Sequence, residues 1–247
     1  MLITSLDNKK IKKYASLKNS KARYEEKLFL VEGMHLCEEA YKNNLIVDIL
    51  LLEGEELSFS YNAEITYVTE DILKKVSSLV NHSKVIGICK ILDNHEISGN
   101  RLLLLDDIGD PGNIGTIIRS SNAFNIDTII LSTNSVDIYN DKVLRSTQGM
   151  IFKMNILYAD LLDVIPKLKK EGFTILGTDV NNGNDVRGKK YNRFALVMGN
   201  EGHGVRKEIK ELCDDNLYIR MSDSCESLNV AVATSILLYE LERGRHE

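Results

Sequence analysis

Four consecutive leucines, Leu102 to Leu105, stand between Arg101 and the pair Asp106–Asp107. Successive side chains of a strand point to opposite faces, so an unbroken apolar run needs cover on both sides of a sheet. The buried parallel strands of α/β folds meet that need. The pattern downstream agrees: helix-like GTIIRSSNAF, strand-like DTIILS, helix-like KVLRSTQ and LLDVIPKLKKE, strand-like FTILGTD and FALVMG, then the long helical SLNVAVATSILLYELERG. This alternation predicts a parallel sheet with helices on both faces over residues 96–247. Ligands of open parallel sheets bind beyond the carboxyl ends of the strands. The residues just after LLLLDD, ILGTD, LVMG and YIRM are therefore the candidates for a site.

Residues 1–95 alternate differently. Strand-like LFLVE, helical GMHLCEEAYKN, strand-like LIVDILLL, the short strand EITYVT, helical EDILKKVSSL and strand-like KVIGICKIL predict a small α/β sandwich. The polar DNHEISGN (93–100) reads as the linker. The leader, residues 1–27, holds eight basic and three acidic groups, a local surplus of five positive charges. Ile11, Tyr14 and Leu17 recur at helical spacing, so it reads as an amphipathic helix with a basic outer face. Such a face is either simply solvated or a contact for nucleic-acid phosphates. The whole chain carries a net charge of -5, which argues against attachment to nucleic acid by bulk charge. No apolar run is long enough to span a membrane, no signal-peptide core is visible, and Cys37, Cys89, Cys213 and Cys225 form no CxxC pair. A cytoplasmic, reduced, metal-free protein is the expectation.

The glycine-rich segments sort by mechanism. No G-x-G-x-x-G follows a strand, so a dinucleotide site has no support. GNDVRGKK (183–190) places Lys190 where a phosphate-binding loop needs Ser or Thr, and it leads into a strand instead of a helix. Neither a zinc-hydrolase motif nor a serine-hydrolase elbow is present. Three segments remain: DPGNIGTIIRSS (110–121), VMGNEGHGV (197–205) and YIRMSDSCESLNVAVA (218–233). Singly they read as a Pro-Gly turn, a glycine loop and a helix capped by Ser227. Each nonetheless follows a strand and places Asn113, Asn200, Glu201, Ser227 or Asn229 where a helix begins.

Taken together and in this order, NIGTIIRS, GNEGHG and SLNVAVA resemble the three signature motifs of the SpoU/TrmH family of RNA ribose 2′-O-methyltransferases, within the SPOUT superfamily. FLVEGMHLCEEA in the first block is similar to the ribosomal-protein-like substrate-binding domain that precedes the catalytic domain in rRNA-modifying members. The resemblance implies a trefoil-knotted methyltransferase domain that binds S-adenosylmethionine in the knot, works as a homodimer and acts on RNA, ribosomal RNA before transfer RNA. A non-catalytic RNA-binding protein keeping the same fold is the alternative. With the basic leader, the resemblance also implies that residues 1–95 bind RNA without the second block.

By the same resemblance, Asn113, Arg119, Glu201, Ser227 and Asn229 form the catalytic set. Thr178, Gly199, Ile219, Leu228 and Asn229 form the cofactor site. The sequence departs from the family with Arg220, where proline is usual, and with Thr234–Ser235 in the last helix. Methyl transfer from a sulfonium needs an in-line hydroxyl, loss of its proton and an oriented donor, and it needs no metal. Arginine holds its proton too tightly to be a resident base. Arg119 is therefore expected to stabilise the developing alkoxide, with Glu201 or Ser227 orienting its guanidinium. Arg145 is a second candidate for an RNA phosphate. His203 and Cys225, the latter flanked by Asp223 and Glu226, receive no role.

Overall fold

The structure, a computed structural model, describes residues 2–93, 96–179, 183–222 and 224–246, with the backbone alone for 244–246. Packing separates the chain into two units, Met1–Asp93 with Asp137–Lys153, and Asn94–Val136 with Met154–Glu247. Among the described residues, each unit is built on one sheet.

The first unit contains β1 (Leu2–Ile3), α1 (Lys9–Ser16), α2 (Ser20–Glu26), β2 (Leu28–Glu32), α3 (Met34–Lys42), β3 (Ile46–Leu52), β4 (Thr66–Val68), α4 (Glu70–Val76) and β5 (Val85–Lys90). The strands lie in the order β1-β4-β3-β5-β2, with β5 antiparallel to both of its neighbours. On one face, Leu50, Ile86 and Ile88 bury the apolar stripes of α1 and α4, namely Ile11, Tyr14, Ile72, Leu73 and Val76.

The leader differs from the single helix read in the sequence. Asn8 caps α1 and Asn19 caps α2, their side chains accepting the N–H groups of Lys10 and Lys21. A capping Asn competes with helix continuation, so the chain breaks between the two. Its charge is also largely spent internally. Lys10 pairs with Asp48, Lys12 with Asp7, Lys13 with Glu26 and Lys21 with Glu25, and Arg23 is buried against Asp137. Among the described residues, only Lys9, Lys18 and Lys27 of the leader carry no ion pair.

The second unit begins with β6 (Arg101–Leu105), α5 (Pro111–Ala123) and β7 (Thr128–Leu131). The next helix, α6 (Asp141–Thr147), folds with the first unit. The second unit then resumes with β8 (Asn155–Tyr158), α7 (Leu161–Lys170), β9 (Thr174–Thr178), β10 (Asn184–Asp185), β11 (Phe194–Met198), α8 (Lys207–Lys210), β12 (Asp215–Tyr218) and α9 (Val230–His246). All strand pairs here are parallel, in the order β10-β12-β9-β11-β6-β7-β8. The four leucines of β6 are fully buried, as the apolar run requires. Leu102 and Leu104 join Leu161, Ile165 and Leu168 of α7 on one face, while Leu103 and Leu105 are covered on the other. The strand expected over YIRM (218–221) lies three residues earlier, over Asp215–Tyr218, so Ile219 is the first residue beyond it.

The division read at 95/96 differs from the packing by one segment. Residues 137–153 return to the first unit, where Tyr139 packs on Phe29 with ring centroids 4.6 Å apart and its hydroxyl accepts the Leu92 N–H at 3.0 Å. Lys153 Nζ reaches Glu39 at 3.1 Å. Periodicity reveals that KVLRSTQ is a helix with Val143 and Leu144 on its apolar side, but it carries no information about which sheet that side covers. Asn94 and His95 of the predicted linker lie outside the described residues.

Asp137 makes this return measurable. Burial opposes its charge, yet the Arg23 guanidinium, the Tyr139 N–H and the Ser20 hydroxyl outweigh that and hold the carboxyl below its ordinary value. A depressed carboxylate contributes stability that is present above its unfolded pKa of about 3.9 and lost as pH falls through the lower folded value. Asp137→Asn is expected to cost about 3 kcal/mol at neutral pH, because it strands the buried guanidinium of Arg23. In denaturant titrations the gap to the wild type should narrow as pH falls below about 4. A variant equal to the wild type at pH 7 would remove this account of the segment.

Candidate active site

The carboxyl ends of β9, β11 and β12 open onto a cavity of about 440 Å³. That is within the range of roughly 300–1,000 Å³ of small-molecule sites. Thr178 lies at the end of β9, Gly199 just beyond β11 and Ile219 just beyond β12. Leu228 lines it too, with Ser227 and Glu226. Four of the five residues expected to hold the cofactor thus line one cavity, and the fifth, Asn229, is not among its lining residues. The backbone groups of Gly199, Ile219 and Leu228 have no hydrogen-bond partner among the described residues, so they are free to pair with a ligand.

The glycine loop after β11 is tightly closed. Asn200 and Gly204 exchange two backbone hydrogen bonds, at 3.1 and 2.8 Å, and the Asn200 side chain accepts the Gly202 N–H. A Cβ on Gly199 would overlap the backbone of Gly204 and Val205, so only glycine fits this crossing. Beneath the loop, Asp106 is completely buried and accepts the N–H and guanidinium of Arg206 at 2.7–2.9 Å. Asn200 also donates to the Asp107 carbonyl at 2.8 Å. Sequence reasoning missed the Asp106–Arg206 pair; a carboxylate directly after four buried leucines was the available signal.

The catalytic set gathers only in part. Asp110 caps α5, with Pro111 in its first turn, and accepts the Asn113 N–H at 2.8 Å. The Asn113 amide then donates to Glu201 at 2.5 Å and accepts from the Asn229 amide at 3.0 Å. Three residues from three motifs therefore form one hydrogen-bonded row. Asn229 Oδ1 simultaneously accepts the N–H groups of Ala231 and Val232, so it caps α9, the role the simple reading gave to Ser227. Ser227 lines the cavity and is exposed.

Arg119 stands apart. It is exposed on α5, and its side chain has no hydrogen bond or ion pair among the described residues. The expected orientation by Glu201 or Ser227 is not present, because Glu201 is engaged by Asn113. His203 lines the cavity with an exposed side chain, and the Cys225 thiol donates to the Ser227 carbonyl. Asp223 lies outside the described residues. Arg145, on α6 in the first unit, is tied to Asp141 of its own helix. Among the described residues no cluster of His, Cys, Asp and Glu could hold a metal ion, and no helix is long and apolar enough to cross a membrane.

The chain is similar to known proteins over nearly its whole length. It is 35% identical over 243 residues to the 23S rRNA (guanosine(2553)-2'-O)-methyltransferase RlmP of Bacillus subtilis (strain 168), covering 97% of this chain and 98% of that protein. An rRNA methyltransferase from Sinorhizobium meliloti, solved with AdoMet bound, superposes with a TM-score of 0.84 at 28% identity, covering 100% of this chain and 98% of that one. A solved RNA 2'-O ribose methyltransferase gives a TM-score of 0.81 at 27% identity, with 100% of both chains covered. Residues 8–87 match the MRM3-like substrate binding domain. Residues 100–239 match the SpoU rRNA Methylase family, and it is to this family that the chain belongs.

Proposed function

We propose that this chain transfers a methyl group from S-adenosylmethionine to a ribose 2′-hydroxyl of ribosomal RNA. The observation that carries the reading is the Asn229–Asn113–Glu201 row beside a cavity lined by Thr178, Gly199, Ile219 and Leu228. The cavity fits the cofactor. It has the volume, apolar walls in Met198, Leu217 and Leu237 for an adenine ring, and unpaired backbone groups for its polar edge. When bound, the cofactor supplies an electrophilic methyl group together with its leaving group.

The chain's own residues do the rest. Gly199, Ile219 and Leu228 hold the donor through their backbone, and Thr178 closes the wall at the end of β9. Glu201 fixes the Asn113 amide, which with Asn229 positions the ribose hydroxyl. Arg119, unengaged by its own chain, stabilises the negative charge that develops on the 2′ oxygen as the proton leaves. The first unit binds RNA and the second performs the transfer.

A homodimer is part of the proposal, supported by exposed Val232 and Tyr239 on α9, the latter 5.9 Å from the Phe124 ring; sedimentation at the mass of one chain would count against it. The knotted threading and a cytoplasmic setting follow from the family and the substrate. Calorimetric titration with S-adenosylmethionine should give saturable binding. Ribosomal RNA from cells lacking the chain should lose one 2′-O-methyl mark. Binding without any lost mark in ribosomal RNA, but with one in transfer RNA, would move the proposal to that substrate. No binding at millimolar cofactor would favour a non-catalytic RNA-binding protein.

A further inference from the structure

Three basic side chains meet at one cleft of the first unit, and they come from separate stretches of chain. Lys18 lies in the turn between α1 and α2, Arg23 on α2 and Arg145 on α6. The cleft measures about 50 Å³. Arg23 is the informative member, with its side chain only 8% exposed. Its terminal nitrogens donate to the carbonyls of Leu17 and Lys18 and to Asp137, but its buried Nε has no partner. The guanidinium therefore keeps one donor unpaired and its positive charge at the cleft wall.

The carboxylates that line the cleft are already engaged. Glu32 accepts from the Ser77 hydroxyl at 2.6 Å and the Ser78 N–H at 2.8 Å, and Asp141 accepts from Arg145 at 3.0 Å. Lys18 is exposed without an ion pair among the described residues, and Arg145 is half-exposed. A space of this size holds a few waters or one phosphate group.

We infer that this cleft seats one phosphodiester of the RNA substrate, with Lys18 and Arg145 on its flanks and the Arg23 guanidinium in its wall. Such a grip fixes the register of the RNA without reading its sequence. The inference rests on the RNA-methylating reading above, and it draws on α6, which lies outside the residues matched to the substrate-binding domain.

The test uses the full-length protein with oligouridylate and oligoadenylate of equal length. Lys18→Ala combined with Arg145→Ala should weaken both RNAs roughly tenfold. The double variant should also lower the slope of log affinity against log salt, by about 0.7 for each phosphate that is no longer neutralised. Ser78→Trp, which obstructs the cleft and removes no charge, should weaken them as well. S-adenosylmethionine binding, read in parallel, should not change in any variant, which also reports that they fold. RNA affinity equal to the wild type in both variants overturns the inference. So does a loss confined to one of the two sequences, which would mean base reading. So does inorganic phosphate binding that depends on Lys18 and Arg145 while RNA binding does not. A wild type that transfers no methyl group would sink the parent reading instead, and the variants' RNA affinities remain decisive for the cleft.

Discussion

Arg119→Ala should lower kcat by about 100-fold or more while leaving S-adenosylmethionine affinity unchanged. The magnitude is that of removing one donor that stabilises charge in a transition state. Cofactor binding is spared because the cavity is built from β9, β11, β12 and the loop before α9, and Arg119 on α5 does not line it. Stability should move by less than about 0.5 kcal/mol, since an exposed side chain with no partner leaves nothing unsatisfied behind. A rate loss would then report chemistry and not folding. Lysine should not rescue the activity, because a planar guanidinium can hold two acceptors at once and an ammonium cannot. The rival role is a ground-state anchor for RNA, for which KM rises and kcat is constant. Single-turnover rates at saturating RNA separate the two, and full recovery there would remove Arg119 from the chemical step.

Gly199→Ala should sharply weaken cofactor binding by a different route. The new methyl group would collide with the backbone of Gly204 and Val205, and neither can move without breaking the paired hydrogen bonds between Asn200 and Gly204. Opening the loop also disturbs Glu201, and with it the grip on Asn113. A backbone conflict of this kind costs about 2–3 kcal/mol, equivalent to roughly a 30- to 150-fold loss of cofactor affinity. Calorimetry would measure it directly. Gly202→Ala is the control, because its Cβ would meet only the Asn200 side chain, at 3.3 Å, and should cost far less. Equal affinities for Gly199→Ala and the wild type would show that the crossing is not tight in solution.

The second unit was the more legible part of the sequence, and the reason is physical. An all-apolar strand such as Leu102–Leu105 has one solution, burial on both faces, and its consequence is a parallel sheet. Residues at the ends of such strands converge because the strands run in one direction, so the strand ends could be assigned to a common site from the sequence, while Thr178, Gly199 and Ile219 came from the family resemblance and line that same cavity. What stayed hidden depends on partners distant along the chain. Arg23 looked like one more cation on a basic face, but its charge is buried against Asp137, 114 residues away. Ser227 and Asn229 are both good helix caps, and only packing decides that Asn229 takes the position. The isolation of Arg119 is likewise a statement about neighbours, which spacing along the chain does not encode.

The return of residues 137–153 to the first unit also bears on how the chain is born. Neither unit is a continuous stretch, so a fragment cut at residue 95 lacks α6 and the Asp137 and Tyr139 contacts. During vectorial synthesis the first unit cannot close until its last piece has been made. At about 5–20 residues per second, the roughly 60 residues from 94 to 153 take about 3–12 s. By the end of that interval β6 and β7 exist, but β9, β11 and β12 do not. Four leucines that need cover on both faces must therefore wait, tethered at both ends to a nearly finished neighbour, for strands not yet translated.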